Sequence, residues 1–314
     1  MAVPLFDLSQ GRIAAPDLKS DLDMTTEELK QLLDLAGQMK RTPLRFVTAL
    51  KNRYLTLLFE KPSLRTRMTF ELAIKQLGGD AILSTGPIGD REPLKDIARN
   101  LDRWTQGIVA RVFSQDTIEE LARWSSVPVI NALSDLYHPC QALADFQTLQ
   151  ERFGGMAGLK LTFVGDGNNV AHSLMLDAAR LGVHFTLACP ANYLPNAEIV
   201  AKAREFATAT GAKIEVVHDA REGVAGSNAI YTDVWASMGQ EKEAEERRRA
   251  FADFQVTREL LDAASPDAIF MHCLPAKRGL EVTDEVMEHQ RSAIFDQAEN
   301  RLHAQKALLV MLLD

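Results

Sequence analysis

Short apolar runs bounded by turn-forming residues alternate along this chain with longer stretches whose apolar positions recur every three to four residues. The short runs read as buried strands and the long ones as amphipathic helices. Strands are predicted at Tyr54–Phe59, Asp80–Ser84, Gly107–Phe113, Val127–Asn131, Leu159–Val164, Phe185–Ala188, Lys213–Val217, Ala229–Thr232 and Ala268–His272. Thr25 and Glu28 form a capping box that opens a helix to about Met39. Further helices are predicted from Leu64 to Leu77, Leu94 to Trp104, Thr117 to Trp124, Pro139 to Arg152, the Gly165–Asn169 loop to Leu181, and Gln297 to Leu312. The charge-dense run Glu241–Arg249 reads as a solvated helix.

Alternating strands and helices predict parallel sheets wrapped by helices. The pattern restarts after His138, which gives an α/β fold class: two doubly wound parallel-sheet domains joined by bridging helices. The expected domains are residues 1–138 plus the C-terminal helix 297–314, and residues 139–296. Ligands of open α/β sheets bind beyond the carboxyl ends of the strands. The loops after Phe59, Phe113, Asn131, Val164, Thr232 and His272 are therefore expected to gather at one interdomain cleft.

Those loops carry unusual chemistry. Ser63 stands where an N-cap belongs, after Pro62, with Arg65, Thr66 and Arg67 in the first helical turn. Unpartnered backbone N–H groups, the helix dipole and guanidinium groups at one point suit a phosphate without a metal. The same residues also fit an ordinary capped helix. His138-Pro139-Cys140-Gln141 opens the bridging helix with a histidine able to donate to a carbonyl oxygen and a glutamine one turn on. Asp233-Val-Trp-Ala-Ser237-Met238-Gly239 follows a strand: its aspartate could hold an ammonium group, while its Trp and Met also fit inward packing. His272-Cys273-Leu274-Pro275 ends another strand, with Cys273 either a tuned thiol or a buried apolar one. Gly165-Asp-Gly-Asn-Asn169 lacks the third glycine and the later acidic residue of a dinucleotide loop, so no nicotinamide cofactor is expected.

With 314 residues, a net charge of -8 and a pI of about 5.5, a nucleic-acid partner is disfavoured, while a small anion remains compatible with a local arginine cluster. The three cysteines are widely spaced, which argues against a disulfide framework or zinc knuckle and for a reducing compartment. No signal peptide or membrane-spanning run is expected, and the localisation expected is cytoplasmic.

Taken together, Ser63-Leu-Arg-Thr-Arg67, His138-Pro-Cys-Gln141, Gly165-Asp-Gly-Asn-Asn169, Asp233-Val-Trp-Ala-Ser-Met-Gly239, His272-Cys-Leu-Pro275 and Phe295-Asp-Gln-Ala-Glu-Asn-Arg301 resemble the motif series of the ornithine carbamoyltransferases, in order and spacing, over nearly the whole chain. The resemblance implies that Ser63, Leu64 (through its backbone), Arg65, Thr66, Arg111 and Arg301 hold carbamoyl phosphate. It implies that His138, Thr66 and Arg111 polarise the carbonyl oxygen, while Gln141 and the backbone at Cys273 and Leu274 hold the amide. Asn169, Ser237 and Met238 would bind the amino-acid end of L-ornithine, with Asp233 and Cys273 facing its δ-amine. The implied products are L-citrulline and phosphate, in arginine metabolism, with no metal or organic cofactor. The implied assembly is a homotrimer or a set of trimers. Two positions depart from the pattern: Leu64 replaces a common threonine, and Pro87 stands where relatives often carry a Gln or His that reaches a neighbouring subunit's site. The alternatives are a carbamoyltransferase for a modified ornithine or a diamine, or a binding protein that kept the fold without turnover.

Overall fold

A computed structural model describes residues 11–236 and 243–313. By its internal contacts the chain forms two units, residues 1–147 with 299–314, and residues 148–298. The unit boundaries fall inside the bridging helix and the C-terminal helix, rather than ahead of them as the sequence expectation had it. The first turns of the bridging helix are tied into the first unit, where Cys140 Sγ donates to Asn131 O at 3.4 Å.

The first unit opens with α1 (Thr26–Arg41), started by the expected Thr25–Glu28 capping box. It continues through β1 (Tyr54–Phe59), α2 (Leu64–Gln76), β2 (Asp80–Thr85), α3 (Leu94–Trp104), β3 (Gly107–Arg111), α4 (Gln115–Trp124) and β4 (Val129–Leu133). The sheet is parallel throughout, in the order β2-β1-β3-β4. Ala98 of α3, Ile118 and Leu121 of α4, and Leu58, Ile108, Ala110 and Val129 of the strands make one buried cluster. The edge of β4 is covered by the segment before α1. Leu18 N donates to Val129 O and Leu18 O accepts from Asn131 N, so no run of edge amides is left open there. β4 begins at Val129, two residues later than predicted, because Pro128 has no N–H for the ladder.

Next come α5 (Pro139–Phe153), which runs on into the second unit, β5 (Lys160–Val164), α6 (Asn169–Leu181), β6 (His184–Ala188), α7 (Ala197–Thr210), β7 (Ile214–Val217), α8 (Ala220–Val224) and β8 (Ala229–Thr232). Then follow α9 (Ala244–Ala250), α10 (Arg258–Asp262), β9 (Ile269–His272), α11 (Asp284–Met287) and α12 (Ile294–Leu313). The second sheet is also parallel, in the order β7-β6-β5-β8-β9. α12 starts one turn before the predicted Gln297 and ends among buried residues, Leu308 to Met311. Among the described residues no helix is long and apolar enough to cross a membrane.

Each sheet has one point where the winding reverses. In the first unit β1 is followed by β2 on one side and β3 on the other; in the second, β5 is followed by β6 on one side, and β8 lies on the other. Crevices at such points are where this architecture binds ligands.

Candidate active site

In the first unit, the loop after β1 delivers the chain to α2 with Ser63 as the N-cap, as predicted. Ser63 is extended (φ -156°), and its Oγ accepts the Thr66 N–H at 3.3 Å. The cap leaves further N–H groups of the first turn directed outward, at the positive end of the helix dipole. Thr66 is buried, Arg65 half-buried and Leu64 exposed, so Leu64 can serve such a site only through its backbone. From α12, Arg301 reaches the same helix start: one terminal nitrogen donates to Thr66 Oγ1 and the other to Gln141 Oε1, both at 2.7 Å. Gln141 in turn donates to Asp145 Oδ1 at 2.8 Å, one helical turn further along α5.

Arg111 ends β3, where its pairing with β4 slips by one residue, between Ala110 and Arg111. Such bulges re-aim side chains at the end of a strand. His138 is buried beside both cations. Desolvation first, then the charges of Arg301 and Arg111, hold its imidazole well below the usual range, so the ring is neutral at physiological pH. A neutral imidazole N–H, flanked by two guanidinium groups, can donate to a carbonyl oxygen and support negative charge developing there. The structure thus gathers Ser63, Arg65, Thr66, Arg111, His138, Gln141 and Arg301 at the carboxyl end of the first sheet and the helix starts above it.

In the second unit, Asn168 caps α6, accepting the N–H groups of Val170 at 3.0 Å and Ala171 at 3.1 Å. Its Nδ2 donates to Asp233 Oδ2 at 3.1 Å. Asn169, the residue expected here from sequence, is half-buried and turns its Oδ1 to Val170 N at 3.0 Å. Asp233 Oδ1 accepts the Cys273 thiol at 3.0 Å and Val234 N at 2.8 Å. Thr232 Oγ1 donates to Val164 O at 2.6 Å, locking the ends of β8 and β5 together at the reversal point. Gly167 is required nearby: a Cβ there would lie 2.3 Å from Pro195 N. Ser237 and Met238 lie outside the described residues.

Behind Cys273 sits a buried support that the sequence reading missed. His272 Nδ1 accepts Leu274 N–H at 2.8 Å, which places the ring proton on Nε2, and Nε2 lies 3.4 Å from Glu281 Oε1. Leu274 takes a left-handed φ of 58°, turning the chain sharply off β9. The ligand atoms of Asp233, His272 and Cys273 fall within 4.8 Å of one another; His272 Nδ1 and the Cys273 thiol each make a hydrogen bond within the protein, while His272 Nε2 faces Glu281 Oε1 at 3.4 Å without one. The other two thiols differ from Cys273: Cys140 and Cys189 are fully buried, and desolvation pushes both up to about 12.

The charged run at α9 is only partly solvated, which corrects the sequence expectation. Arg247 is buried; it donates to Asp166 Oδ2 at 2.7 Å, to Trp235 O at 3.0 Å and to Glu243 Oε2 at 3.0 Å. It ties the Gly165–Gly167 loop to the chain just after Asp233. No periodicity would reveal it, since Arg248 and Arg249 carry the same charge and are exposed.

Residues 17–151 match the family model described as aspartate/ornithine carbamoyltransferase, carbamoyl-P binding domain, and residues 157–312 match its Asp/Orn binding domain. The chain belongs to the aspartate/ornithine carbamoyltransferase family. Within this family it is 50% identical to the ornithine carbamoyltransferase of Acidothermus cellulolyticus over 298 residues, 94% of this chain and 96% of that protein. It is 49% identical to the one from Thermococcus kodakarensis, over 96% of this chain and 97% of that protein. The ornithine carbamoyltransferase structure from Pyrococcus furiosus superimposes with a TM-score of 0.93 at 45% identity, covering 96% of this chain and 98% of that one.

Proposed function

We propose that this protein transfers the carbamoyl group of carbamoyl phosphate to the δ-amine of L-ornithine, giving L-citrulline and phosphate. The observation that carries the reading is the Arg301–Thr66–Gln141 cluster beside a neutral, buried His138. It joins a phosphate-type helix start to donors suited to a carbonyl and an acceptor suited to an amide. In this reading Ser63, the Leu64 backbone, Arg65, Thr66, Arg111 and Arg301 hold the phosphate end. His138, Arg111 and Thr66 stabilise the oxyanion. Gln141 and the Cys273–Leu274 backbone hold the carbamoyl amide. Asp233 and Cys273 receive the δ-amine, and Asn169 with Ser237 and Met238 binds the α-amino-acid end.

The amine arrives as an ammonium with an ordinary pKa of about 10 and attacks only once neutral. One proton leaves before attack. The C–N bond forms, the carbonyl electrons move to oxygen and return, the C–O bond to phosphate breaks, and the nitrogen passes its second proton to the departing phosphate, the first having gone to solvent. Asp233 attracts the cation, and its hydrogen bond from Cys273 keeps the carboxylate aimed.

Support for ornithine over another amine comes from relatives near 50% identity that carry that name, together with the Ser237-Met238-Gly239 motif. The expected assembly is a homotrimer or a set of trimers. Leu64, Met68 and Leu72 lie one turn apart on the solvent side of α2, at 74%, 45% and 41% exposed, and the neighbouring edge strand β2 shows Ile82 at 61%. Such an apolar stripe fits contact with further copies of the chain. A cytoplasmic setting suits three free thiols.

The test is citrulline formation from carbamoyl phosphate with ornithine, acetylornithine, succinylornithine, putrescine and lysine compared side by side. A preference of roughly 10- to 200-fold over lysine, the scale of one extra methylene, and on the order of 10,000-fold over putrescine, which would leave the polar groups for the α-amino-acid end unpaired, is expected. Comparable turnover of another amine would overturn the substrate assignment.

A further inference from the structure

Glu60 is the residue immediately after β1 and three before the Ser63 cap. A carboxylate so close to a phosphate site is electrostatically unfavourable, because it opposes the charge that the cap and the arginines attract. Its surroundings account for it. Glu60 Oε2 accepts Phe113 N–H at 2.8 Å, and Oε1 faces Ile88 N–H at 3.4 Å. Its own N–H donates to Arg111 O at 2.9 Å. One residue on, the buried Lys61 places Nζ 4.1 Å from the centre of the Phe113 ring.

Three loops therefore converge on one side chain: the one leading to Ser63, the one leaving Arg111, and the 86–93 loop that contains Pro87. The 86–93 loop is otherwise tied to the β1 end through Gly86 N to Phe59 O at 3.0 Å. Gly86 and Gly89 both have positive φ, 122° and 89°, so the loop's course depends on such ties.

We propose that Glu60 is a positioning residue that clamps these loops, holding Arg111 and the 86–93 loop in register with the phosphate-binding helix start and so setting the affinity for carbamoyl phosphate. The proposal rests on the reading of that helix start as the carbamoyl phosphate site. Glu60 touches no substrate in this account. It acts through Phe113 N–H, two residues from Arg111, and through Ile88 N–H.

Glu60→Gln keeps one carbonyl acceptor and turns an NH2 group toward the other N–H, so one of the two bonds is lost; Glu60→Ala loses both. The expected KM for carbamoyl phosphate rises on the order of tenfold in Glu60→Gln and 100-fold in Glu60→Ala, the scale of hydrogen bonds to a charged acceptor. The ornithine KM should stay within about twofold, because the clamp lies in the other unit. Peptides spanning residues 86–93 and 111–116 should exchange their amide hydrogens faster in both variants. A lowered melting temperature with both KM values unchanged would overturn the proposal, since that is what a purely structural residue would do.

Exchange in the unaltered protein gives a second test that does not depend on the variants folding. Saturating inorganic phosphate should slow exchange in both peptides together, and exchange unchanged in either peptide would refute the clamp. An unaltered protein that makes no citrulline refutes the functional reading instead, and the phosphate-dependent exchange still decides the role of Glu60.

Discussion

The carboxyl ends of the two sheets are built by opposite means. In the first unit the groups assigned to the substrate are cationic or neutral, with the carboxylates of Glu60 and Asp145 turned to protein partners, and the decisive contacts span long stretches of sequence: Arg301 meets Thr66 and Gln141 through side-chain hydrogen bonds. In the second unit the centre is anionic, and its main contacts come from turns leaving the strands: Asp233 after β8, Cys273 and Leu274 after β9, Asn168 after β5. A dianion is served by backbone N–H groups and guanidinium forks, which need only a helix start and reach. An amine that must shed a proton needs one aimed carboxylate, and aiming requires every lone pair to be assigned. That difference sets where each region is fragile.

The largest expected effect is at the anionic centre. Asp233→Asn removes the charge and turns an NH2 group toward Asn168 Nδ2, a clash of donors; flipping Asn168 to relieve it would sacrifice the α6 cap. Initial-rate kinetics should show kcat/KM for ornithine down by about 100- to 1,000-fold, within the range for a lost group in proton transfer. The carbamoyl phosphate KM should change little. A matching loss for carbamoyl phosphate would dissolve the contrast between the regions.

The next effect is one of pH and belongs to the first unit. His138 binds its proton less readily folded than unfolded. Below about 6.5, the ordinary imidazole value, the unfolded chain takes up a proton that the folded one refuses, so stability falls as pH drops through that value toward the folded one. Urea midpoints at pH 7.5 and pH 5.5 should therefore converge more closely in His138→Gln than in the unaltered protein, by at most about 1.4 kcal/mol per pH unit. Above pH 7 the group makes no contribution to the slope. An acid loss equally steep in both proteins would show that His138 is not the buried neutral group described.

The smallest effect is Ser63→Ala, which deletes the cap of α2. Thermal or urea unfolding should register about 1 kcal/mol of destabilisation. Ser63→Gly should cost only a few tenths, and equal costs for the two would argue against a cap.

Much of this was legible in the sequence because local rules carried it. Ser63 as a cap, the Thr25–Glu28 box, Tyr54–Phe59 and Leu94–Trp104 follow from spacing and turn chemistry over a few residues, and the structure shows each in place. The residues that were missed work over distance. Glu281 lies nine residues beyond His272 across an irregular turn, and Asp166 and Arg247 are separated by β6, β7 and β8. Neither pairing has a periodic signature, because nothing about a glutamate in a polar loop announces that it folds back under a histidine. Asn168 was within reach: an asparagine between a strand and an apolar helix is a cap by the same rule that found Ser63. The boundary shift into α5 has a similar origin, since helical periodicity is uniform along Pro139–Phe153 while the Cys140 and Gln141 contacts that anchor its first turns are tertiary.

The division of labour between the two regions is tested most directly by one set of initial rates. Citrulline formation would be followed in the unaltered protein, Arg301→Ala and Cys273→Ala, with carbamoyl phosphate and ornithine each varied. The account predicts that Arg301→Ala raises the carbamoyl phosphate KM on the order of 100-fold, as expected for truncating one partner of a buried charged contact. It predicts that Cys273→Ala raises the ornithine KM or lowers kcat and leaves the carbamoyl phosphate KM unchanged. If both variants shift the same constant, or the unaltered protein forms no citrulline, the account is contradicted.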